Sequence, residues 1–229
     1  MATGWNCWQC RASEIPKYFG SNFRTDESRV LVHRFTKWSV ALAAAAMAVM
    51  GLAGPTSAST SVQPAFAAQA AQAGLDKAEA AGLQREVDAQ LAAVPGGEQT
   101  GLNEISWRGG KAVMTFPLPG EKKARAVGEA FAPAGSPNCS YLWTCLYEHA
   151  NFDGRRLTWS DCNFVNLADW GFNDQTTSWH NNQSSGTQTT VYNWNGVNAW
   201  VVLWTSTAPS ASSNVGSANN DKADGLWVC

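Results

Sequence analysis

Positively charged side chains are scarce in the C-terminal part of this chain. Residues 136–229 contain three Lys or Arg against seven Asp or Glu, which gives a net charge of −4. Proteins that bind nucleic acid neutralise its phosphates with a basic stripe or patch, and this segment has none. The composition therefore excludes nucleic acid as a partner and favours a mildly acidic module that tolerates cations.

The chain also lacks the motifs of common hydrolases. It contains no Gly-x-Ser-x-Gly nucleophile elbow, no His-Glu-x-x-His zinc motif and no paired-carboxylate signature. His149 and His180 are of a type that serves as a base or a metal ligand, and Ser178 of a type that serves as a nucleophile, but no such motif accompanies them. We therefore expect a protein that is not an enzyme.

No apolar run is long enough for a comfortable transmembrane helix. The run at 39–52 has about fourteen residues, whereas a helix needs about 20 to span a bilayer. A basic segment precedes it and a Gly-Pro pair ends it, as is typical of a secretory signal peptide. We predict that 30–67 is a signal peptide, cleaved after Ala58 or Ala67, and that the protein is secreted and extracellular, with no membrane association afterwards. A membrane-anchored N-terminus is the alternative.

Residues 1–29 lie ahead of this signal and contain Cys7-x-x-Cys10. Such a pair occurs in zinc and redox sites, but here it has neither a second pair nor a βαβ pattern around it. We interpret 1–29 as an N-terminal extension with a misassigned start, translation beginning near Val30 or Leu31.

Aromatic residues are nearly absent between 58 and 100. Apolar residues recur there at helical spacing, ahead of a Pro-Gly-Gly stop: Leu83, Val87, Leu91 and Val94. A hairpin is predicted at 105–116, and a charged, alanine-rich linker open to proteolysis at 121–137. We interpret 68–135 as a small helix-plus-hairpin pro-region and linker that assists folding or blocks the mature surface. A flexible spacer is the alternative.

The character of the sequence changes at 136. Residues 139–229 hold eight tryptophans, and aromatic side chains supply most of the buried area of a small core. Short aromatic and β-branched runs alternate with Asn, Gly, Ser and Asp, which predicts an all-β sandwich. The candidate strands are 142–149, 156–159, 178–181, 189–194, 199–205 and 226–229.

Four cysteines follow the predicted signal: Cys139, Cys145, Cys162 and Cys229. An even number in a secreted domain of about 90 residues implies two disulfides, and three connectivities are open. A bridge from Cys145 to Cys162 would join the ends of the first hairpin and leave Cys139 to pair with Cys229. Four thiolates around a metal are the alternative, but the paired spacing of zinc sites is missing.

Two stretches resemble the βγ-crystallin family. Tyr147, Phe152 and Gly154 match the pattern of its folded hairpin, in which the glycine adopts a conformation that a β-carbon obstructs. Residues 173–178, Asn-Asp-Gln-Thr-Thr-Ser, are similar to the calcium-clamp sequence of microbial members. The resemblance implies a two-motif Greek-key sandwich over 136–229.

A second copy of both elements is present in altered form. Tyr192 is followed by Val197 and Ala199 where the family has Phe and Gly. Residues 220–225 read Asn-Asp-Lys-Ala-Asp-Gly, so the second clamp keeps the Asn-Asp pair and replaces the hydroxyl residues by Asp-Gly. The repeat supports the fold, while the changes alter the second clamp.

The same resemblance implies a calcium site, since the two clamps of that family exchange ligands. A hard cation takes about six to eight oxygens, from carboxylates, hydroxyls, carbonyls and water. The implied ligand set is Asn173, Asp174, Thr177, Ser178, Asn220, Asp221 and Asp224. The alternative is that these residues only stabilise turns, which Asn, Asp, Ser and Thr favour.

A narrower resemblance is to secreted actinobacterial peptidase inhibitors with this fold, including a metalloproteinase inhibitor. It rests on residues 148–156, 171–174 and 217–222 and on the signal-plus-pro-region layout. It implies a monomeric inhibitor that occupies the cleft of an extracellular peptidase, with metallopeptidases as the favoured class. In the characterised inhibitor a disulfide between two closely spaced cysteines holds the inhibitory loop, and no matching loop is evident in this sequence.

An inhibitor needs a rigid exposed loop, because ordering a flexible loop on binding costs entropy. Polar, turn-rich loops are predicted at 181–188 and 193–198, with Trp194 and Trp200 as candidate partner contacts. Core packing is the alternative role for these tryptophans. The alternative function is a calcium-binding exported antimicrobial or cell-envelope binding module, and a third is a structural calcium-binding protein.

Overall fold

The computed structural model describes residues 63–229. The predicted extension at 1–29 and nearly all of the predicted signal peptide lie outside the described residues. Helix α1 spans Ala67–Gln72 and helix α2 spans Lys77–Ala93. The strands of the described chain are β1 Glu98–Gly101, β2 Glu104–Trp107, β3 Ala112–Thr115, β4 Trp143–Tyr147, β5 Arg156–Trp159, β6 Phe164–Asn166, β7 Ser178–Asn182, β8 Gln188–Trp194, β9 Trp200–Thr207, β10 Ser210–Ser212 and β11 Gly225–Trp227.

Helix α2 confirms the helix that apolar spacing predicts. It begins with a capping box, in which the Asp76 side chain accepts from the amides of Ala78 and Glu79 and the Glu79 side chain accepts from the Asp76 amide. Leu83 and Val87 of its apolar face are buried. No helix within residues 63–229 is long and apolar enough to cross a membrane.

The strands form two antiparallel sheets. The larger has the order β1-β2-β3-β5-β4-β7-β10, and the smaller has the order β6-β11-β8-β9. Strands β4–β7 come from the first predicted motif and β8–β11 from the second. Each motif places its third strand, β6 or β10, in the sheet built by the other motif. This exchange confirms the predicted two-motif Greek-key sandwich.

The predicted pro-region extends the larger sheet. The hairpin β2–β3, as predicted from its turn, pairs with the sandwich through β3 and β5, from Ala112 opposite Trp159 to Thr115 opposite Arg156. Its buried residues and those of α2 lie in one core with Leu146, Leu157 and Val191 of the sandwich. Residues 63–135 therefore share a sheet and a core with 136–229, and the removal of 68–135 as a pro-region stays a prediction.

Residues 121–137 pack against the sandwich and differ from the open linker that their composition predicts. Lys123 forms a parallel bridge with Gly154, and Ala124 is fully buried. The Glu129 carboxylate lies 3.2 Å from the Arg156 guanidinium. Glu129 therefore has an ion-pair partner on the sandwich, whereas Glu121 and Arg125 pair with each other within the segment.

Two disulfides join Cys139 to Cys145 and Cys162 to Cys229. The predicted Cys145–Cys162 and Cys139–Cys229 pairs are wrong, because the register of β4 and β5 places Cys145 opposite Thr158. Cys162 lies four residues farther along, at about 3.3 Å per extended residue, which is too far for a disulfide. Trp227 pairs with Phe164, so Cys229 and Cys162 meet just beyond that pair.

Candidate functional site

Tyr147, Phe152 and Gly154 form the folded hairpin that the sequence predicts. The buried rings of Tyr147 and Phe152 meet edge to face, with centroids 5.3 Å apart. Gly154 has a φ of +76°, and a β-carbon there would lie 2.8 Å from the Glu148 Cβ. Only glycine combines that backbone conformation with so close a contact. Residues 148–150 of this hairpin line the same cavity as Asp174 and Asp221.

Ser178 supports this hairpin from β7. Its buried hydroxyl donates to the His149 carbonyl and accepts from the Phe152 amide at 3.1 Å. His180 lies on the same strand, and burial lowers the pKa of its imidazole. Among the described residues the Ser178 hydroxyl thus binds the main chain and no imidazole, which fits the alternative, structural role for this residue, and its role as a metal ligand stays a prediction.

The two predicted clamps form a pair of turns that bind each other. Asp174 and Asp221 both adopt left-handed conformations, with φ of +54° and +52°. The Asp174 amide donates to the Ala223 carbonyl at 2.9 Å, and the Asp221 amide donates to the Thr176 carbonyl at 3.4 Å. Each turn is therefore held by the main chain of the other.

Four of the predicted ligands line one open cavity of about 450 Å³: Asp174, Thr177, Asn220 and Asp221. Glu148 and His149 line it as well. The Thr177 hydroxyl is 3.5 Å from the Asp221 carboxylate, which brings the two turns together at the side-chain level. Within residues 63–229 no group of three or more His, Cys, Asp or Glu side chains is placed to hold a metal, so oxygens from hydroxyl, amide and carbonyl groups would have to complete any site.

One carboxylate of this cavity, that of Glu148, lies beside a positive charge. Burial alone would raise the pKa of Glu148, but hydrogen bonds from Arg155 and its charge lower the pKa below its usual range. The Arg155–Glu148 ion pair is 3.0 Å long. Glu148 is therefore ionised, and part of its charge is already neutralised by Arg155.

The remaining predicted ligands lie outside that cavity or stabilise its turns. Asn173 donates to the Asp174 carboxylate at 3.3 Å. Asp224 instead accepts from the Trp194 amide at 2.8 Å, which joins the second clamp to the hairpin β8–β9. Burial raises the pKa of Asp224, and the charge of Asp174 raises it further. The structure thus brings four of the seven predicted ligands together and gives Asp224 a role in holding the hairpin.

The loop at 195–199, here named the hairpin tip, joins β8 to β9. The Asn195 side-chain oxygen accepts from the amides of Val197, Asn198 and Ala199 at 2.9–3.0 Å. The Asn195 amide donates to the Ala199 carbonyl at 3.0 Å, and Gly196 has a φ of +79°. One side chain therefore fixes the conformation of the whole tip, and Val197 at its end is 78% exposed.

The predicted contact residues Trp194 and Trp200 form the base of the hairpin tip. They lie opposite each other on β8 and β9, with ring centroids 5.1 Å apart. Trp200 also packs on Phe164 at 5.0 Å, and a β-carbon at Gly225 would lie 2.8 Å from its ring. Trp194 remains 39% exposed. The two tryptophans support the tip from one side and present apolar surface beside it.

The altered second motif explains why the tip protrudes. In the first motif Phe152 packs on Tyr147, whereas Tyr192 packs on Phe164 with centroids 6.0 Å apart. Val197, which takes the place of the second aromatic, lies in solvent. Without that ring the second hairpin does not close over itself, and its end is left exposed.

The other predicted loop, at 181–188, is held to the sandwich by buried hydrogen bonds. Gln183 is buried and donates to the hydroxyl of Thr189 at 3.1 Å. The loop that the sequence did not reveal is the one closed by the Cys139–Cys145 disulfide. Two closely spaced cysteines do hold an exposed loop in this chain, and the sequence alone left their pairing open.

Comparisons with known proteins find one matching family model and several similar solved structures. The model of peptidase inhibitor family I36 matches residues 132–203, which confirms the predicted family resemblance over this segment. Among solved structures, the chain is similar to a βγ-crystallin domain from Clostridium beijerinckii at 26% identity, over 37% of this chain and 93% of that one, with a TM-score of 0.29. It is also similar to spherulin 3A from Physarum polycephalum at 20% identity, over 40% and 86%, with a TM-score of 0.30. Curated protein sequences give no match.

Proposed function

We propose that this protein is a secreted inhibitor that blocks the active-site cleft of an extracellular peptidase, because residues 132–203 match the model of peptidase inhibitor family I36. The observation that carries the choice of contact is the hairpin tip, in which the Asn195 side chain holds three consecutive amides around an exposed Val197. A metallopeptidase is the target class that the sequence resemblance favours.

The hairpin tip has the properties of a binding loop. Its conformation is set before a partner arrives, so little loop entropy is lost on association. Its residues, Asn-Gly-Val-Asn-Ala, carry no charge, so burying them desolvates no ion. Val197 would enter an apolar subsite of the cleft, while Trp194 would cover its rim, since tryptophans beside a central contact commonly carry binding energy.

Inhibition of thermolysin and other metallopeptidases by the secreted protein tests this proposal. We expect saturation at one inhibitor per enzyme, and we expect Val197→Ser to raise the inhibition constant at least about tenfold, or about 1.4 kcal/mol. Val202→Ser is the matched control, because Val202 is also an exposed valine, on β9 away from the tip. Equal effects of the two substitutions would exclude the hairpin tip as the contact, and a folded protein that inhibits no peptidase would exclude the function.

We further propose that calcium binds between the two clamp turns and stabilises the fold. Support comes from the mutual hydrogen bonds of these turns and from the Asp174, Thr177, Asn220 and Asp221 oxygens around one cavity. Calcium prefers such oxygen donors, and a cation there would offset the repulsion between carboxylates of the two turns. Thermal melting with and without calcium tests the site.

A further inference from the structure

The disulfide-closed loop at 139–145 presents two adjacent large apolar side chains to solvent. Tyr141 is 65% exposed and Leu142 is 52% exposed. The loop reads Cys-Ser-Tyr-Leu-Trp-Thr-Cys and contains no charged residue. Exposed apolar pairs of this kind have no role in the core, so they are candidates for contact with another molecule.

Several interactions lock this loop in one conformation. The Cys139–Cys145 disulfide closes it after only six residues. The Leu142 amide donates to the Asn182 carbonyl at 2.9 Å, and the Asn182 side chain donates to the Cys139 carbonyl at 2.8 Å. The Trp143 amide donates to the Ser140 carbonyl at 3.3 Å, which makes residues 140–143 a tight turn.

Leu142 is held in an unfavourable backbone conformation. Its φ is +73°, a region that leucine rarely adopts and that costs about 1 kcal/mol or more. The fold retains a strained leucine at an exposed position where glycine or asparagine would relieve the strain. Strain of this kind is concentrated at ligand-binding positions, and here its effect is to hold Tyr141 and Leu142 outward.

The loop lies at the opposite end of the sandwich from the hairpin tip. Trp143, next to the turn, pairs with Asn182 at the end of β7. Residues 183–187 lead from there into β8, whose far end carries the tip. Strand β8 has seven residues, so at about 3.3 Å per residue the two loops are about 20 Å or more apart. The two loops therefore form separate surfaces at the two ends of β8.

We propose that the loop at 139–145 is a second peptidase-binding loop, and that Tyr141 directs it to a peptidase whose principal pocket accepts aromatic side chains. The proposal rests on the proposed inhibitor function but uses a different surface. Chymotrypsin has such an apolar pocket, whereas the trypsin pocket carries an aspartate that selects basic residues. The loop offers Tyr and Leu and no Lys or Arg, so it fits the first pocket and not the second.

The test measures binding of the secreted protein to chymotrypsin and to trypsin, by inhibition of small-substrate cleavage and by the mass of the complex. We expect binding of chymotrypsin only, and a loss of affinity of at least about tenfold in Tyr141→Ser. Phe131→Ser is the matched control, because Phe131 is 74% exposed and lies on Arg125 outside the loop. Val197→Ser, which changes the hairpin tip, should leave chymotrypsin binding unchanged.

The outcomes separate this inference from the proposed function. Absence of chymotrypsin binding, or binding weakened by Val197→Ser and not by Tyr141→Ser, overturns the second loop and leaves inhibition through the hairpin tip standing. Loss of metallopeptidase inhibition in Val197→Ser, together with loss of chymotrypsin binding in Tyr141→Ser, supports two separate binding loops. A complex that holds both enzymes on one inhibitor supports the same conclusion.

Discussion

At the scale of single residues, the hairpin tip depends on Asn195. Its side-chain oxygen satisfies three amides that no strand partner reaches, in the manner of an Asx turn. Asp224 adds a fourth contact below the tip through the Trp194 amide. Two polar side chains thus replace the aromatic ring that closes the first hairpin.

Replacing Asn195 tests whether rigidity matters to binding. We expect Asn195→Ala to weaken peptidase inhibition about tenfold, because the loop must then be ordered on association. Asn195→Asp keeps an oxygen at the same place and should retain most of the inhibition. Measured inhibition constants and melting temperatures of both variants decide this, and an unchanged constant in Asn195→Ala would contradict the locked-loop interpretation.

Glu104 is a second residue with a defined electrostatic setting. It lies on β2 opposite Thr115, which in turn lies opposite Arg156 on β5. Burial raises the pKa of Glu104, the charge of Arg156 lowers it and the charge of Glu129 raises it, with burial the largest cause. The folded protein therefore holds this proton more tightly than the unfolded chain does.

This shift predicts a pH dependence of stability. The contribution of Glu104 is fully present below its ordinary pKa of 4.5 and is lost as the pH rises through the raised value in the folded state. We expect Glu104→Gln to melt at a higher temperature than the wild type at pH 7 and at a similar temperature at pH 3–4. Glu98→Gln, exposed on β1, is the control and should change neither. A parallel pH profile for wild type and Glu104→Gln would contradict the prediction.

At the scale of elements, the two clamp turns connect the sheets. Asp174 follows β6 and precedes β7, whereas Asp221 lies between β10 and β11. Their mutual hydrogen bonds fasten the points where each motif crosses to the opposite sheet. A ligand shared by the two turns would therefore stabilise the packing of one motif on the other.

Calcium should raise the melting temperature of the secreted protein, because a ligand that binds only the folded state stabilises it by mass action. We expect Asp174→Ala to abolish most of that rise. Glu86→Ala removes one carboxylate from an exposed position of α2 and should keep it. Melting curves in calcium and in chelator measure the difference, and equal shifts in the two variants would remove the first clamp from the proposed site.

At the scale of the whole molecule, residues 63–135 complete the sandwich. Strand β3 covers the edge of β5, and Thr115 and Glu129 bind the buried guanidinium of Arg156. Without them the edge amides of β5 and the Arg156 charge would lose their partners, and breaking a buried ion pair is strongly destabilising. A chain cut within 121–137 is therefore expected to retain its N-terminal piece by non-covalent pairing.

Truncation tests this directly. We expect a chain of residues 136–229 to lack a cooperative melting transition and to bind hydrophobic dyes, whereas a chain of 63–229 should melt cooperatively. Near-ultraviolet circular dichroism and calorimetry measure both properties. A truncated chain that melts at the same temperature as 63–229 and inhibits equally would show that the N-terminal part is dispensable, as a removable pro-region requires.

Much of the architecture was predictable from local sequence. Helix α2, the hairpin β2–β3 and six strands of the sandwich lie close to their predicted places, because helical spacing, strand alternation and turn residues act over a few positions. The short strands β1, β6 and β10 were missed. Strands β6 and β10 have three residues each, so their pairing depends on neighbours contributed by the other motif.

Helix α2, the hairpins, the Gly154 turn and the repeat of two motifs follow from local sequence, since each depends on residues close together in the chain. The Cys162–Cys229 disulfide, the joining of β3 to β5 and the contact of Asp224 with the Trp194 amide depend instead on residues far apart in the chain, which meet only in the folded protein. Strand register and the packing of one sheet on the other decide which distant residues meet, because a shift of register by one residue would turn every side chain of a strand to the opposite face.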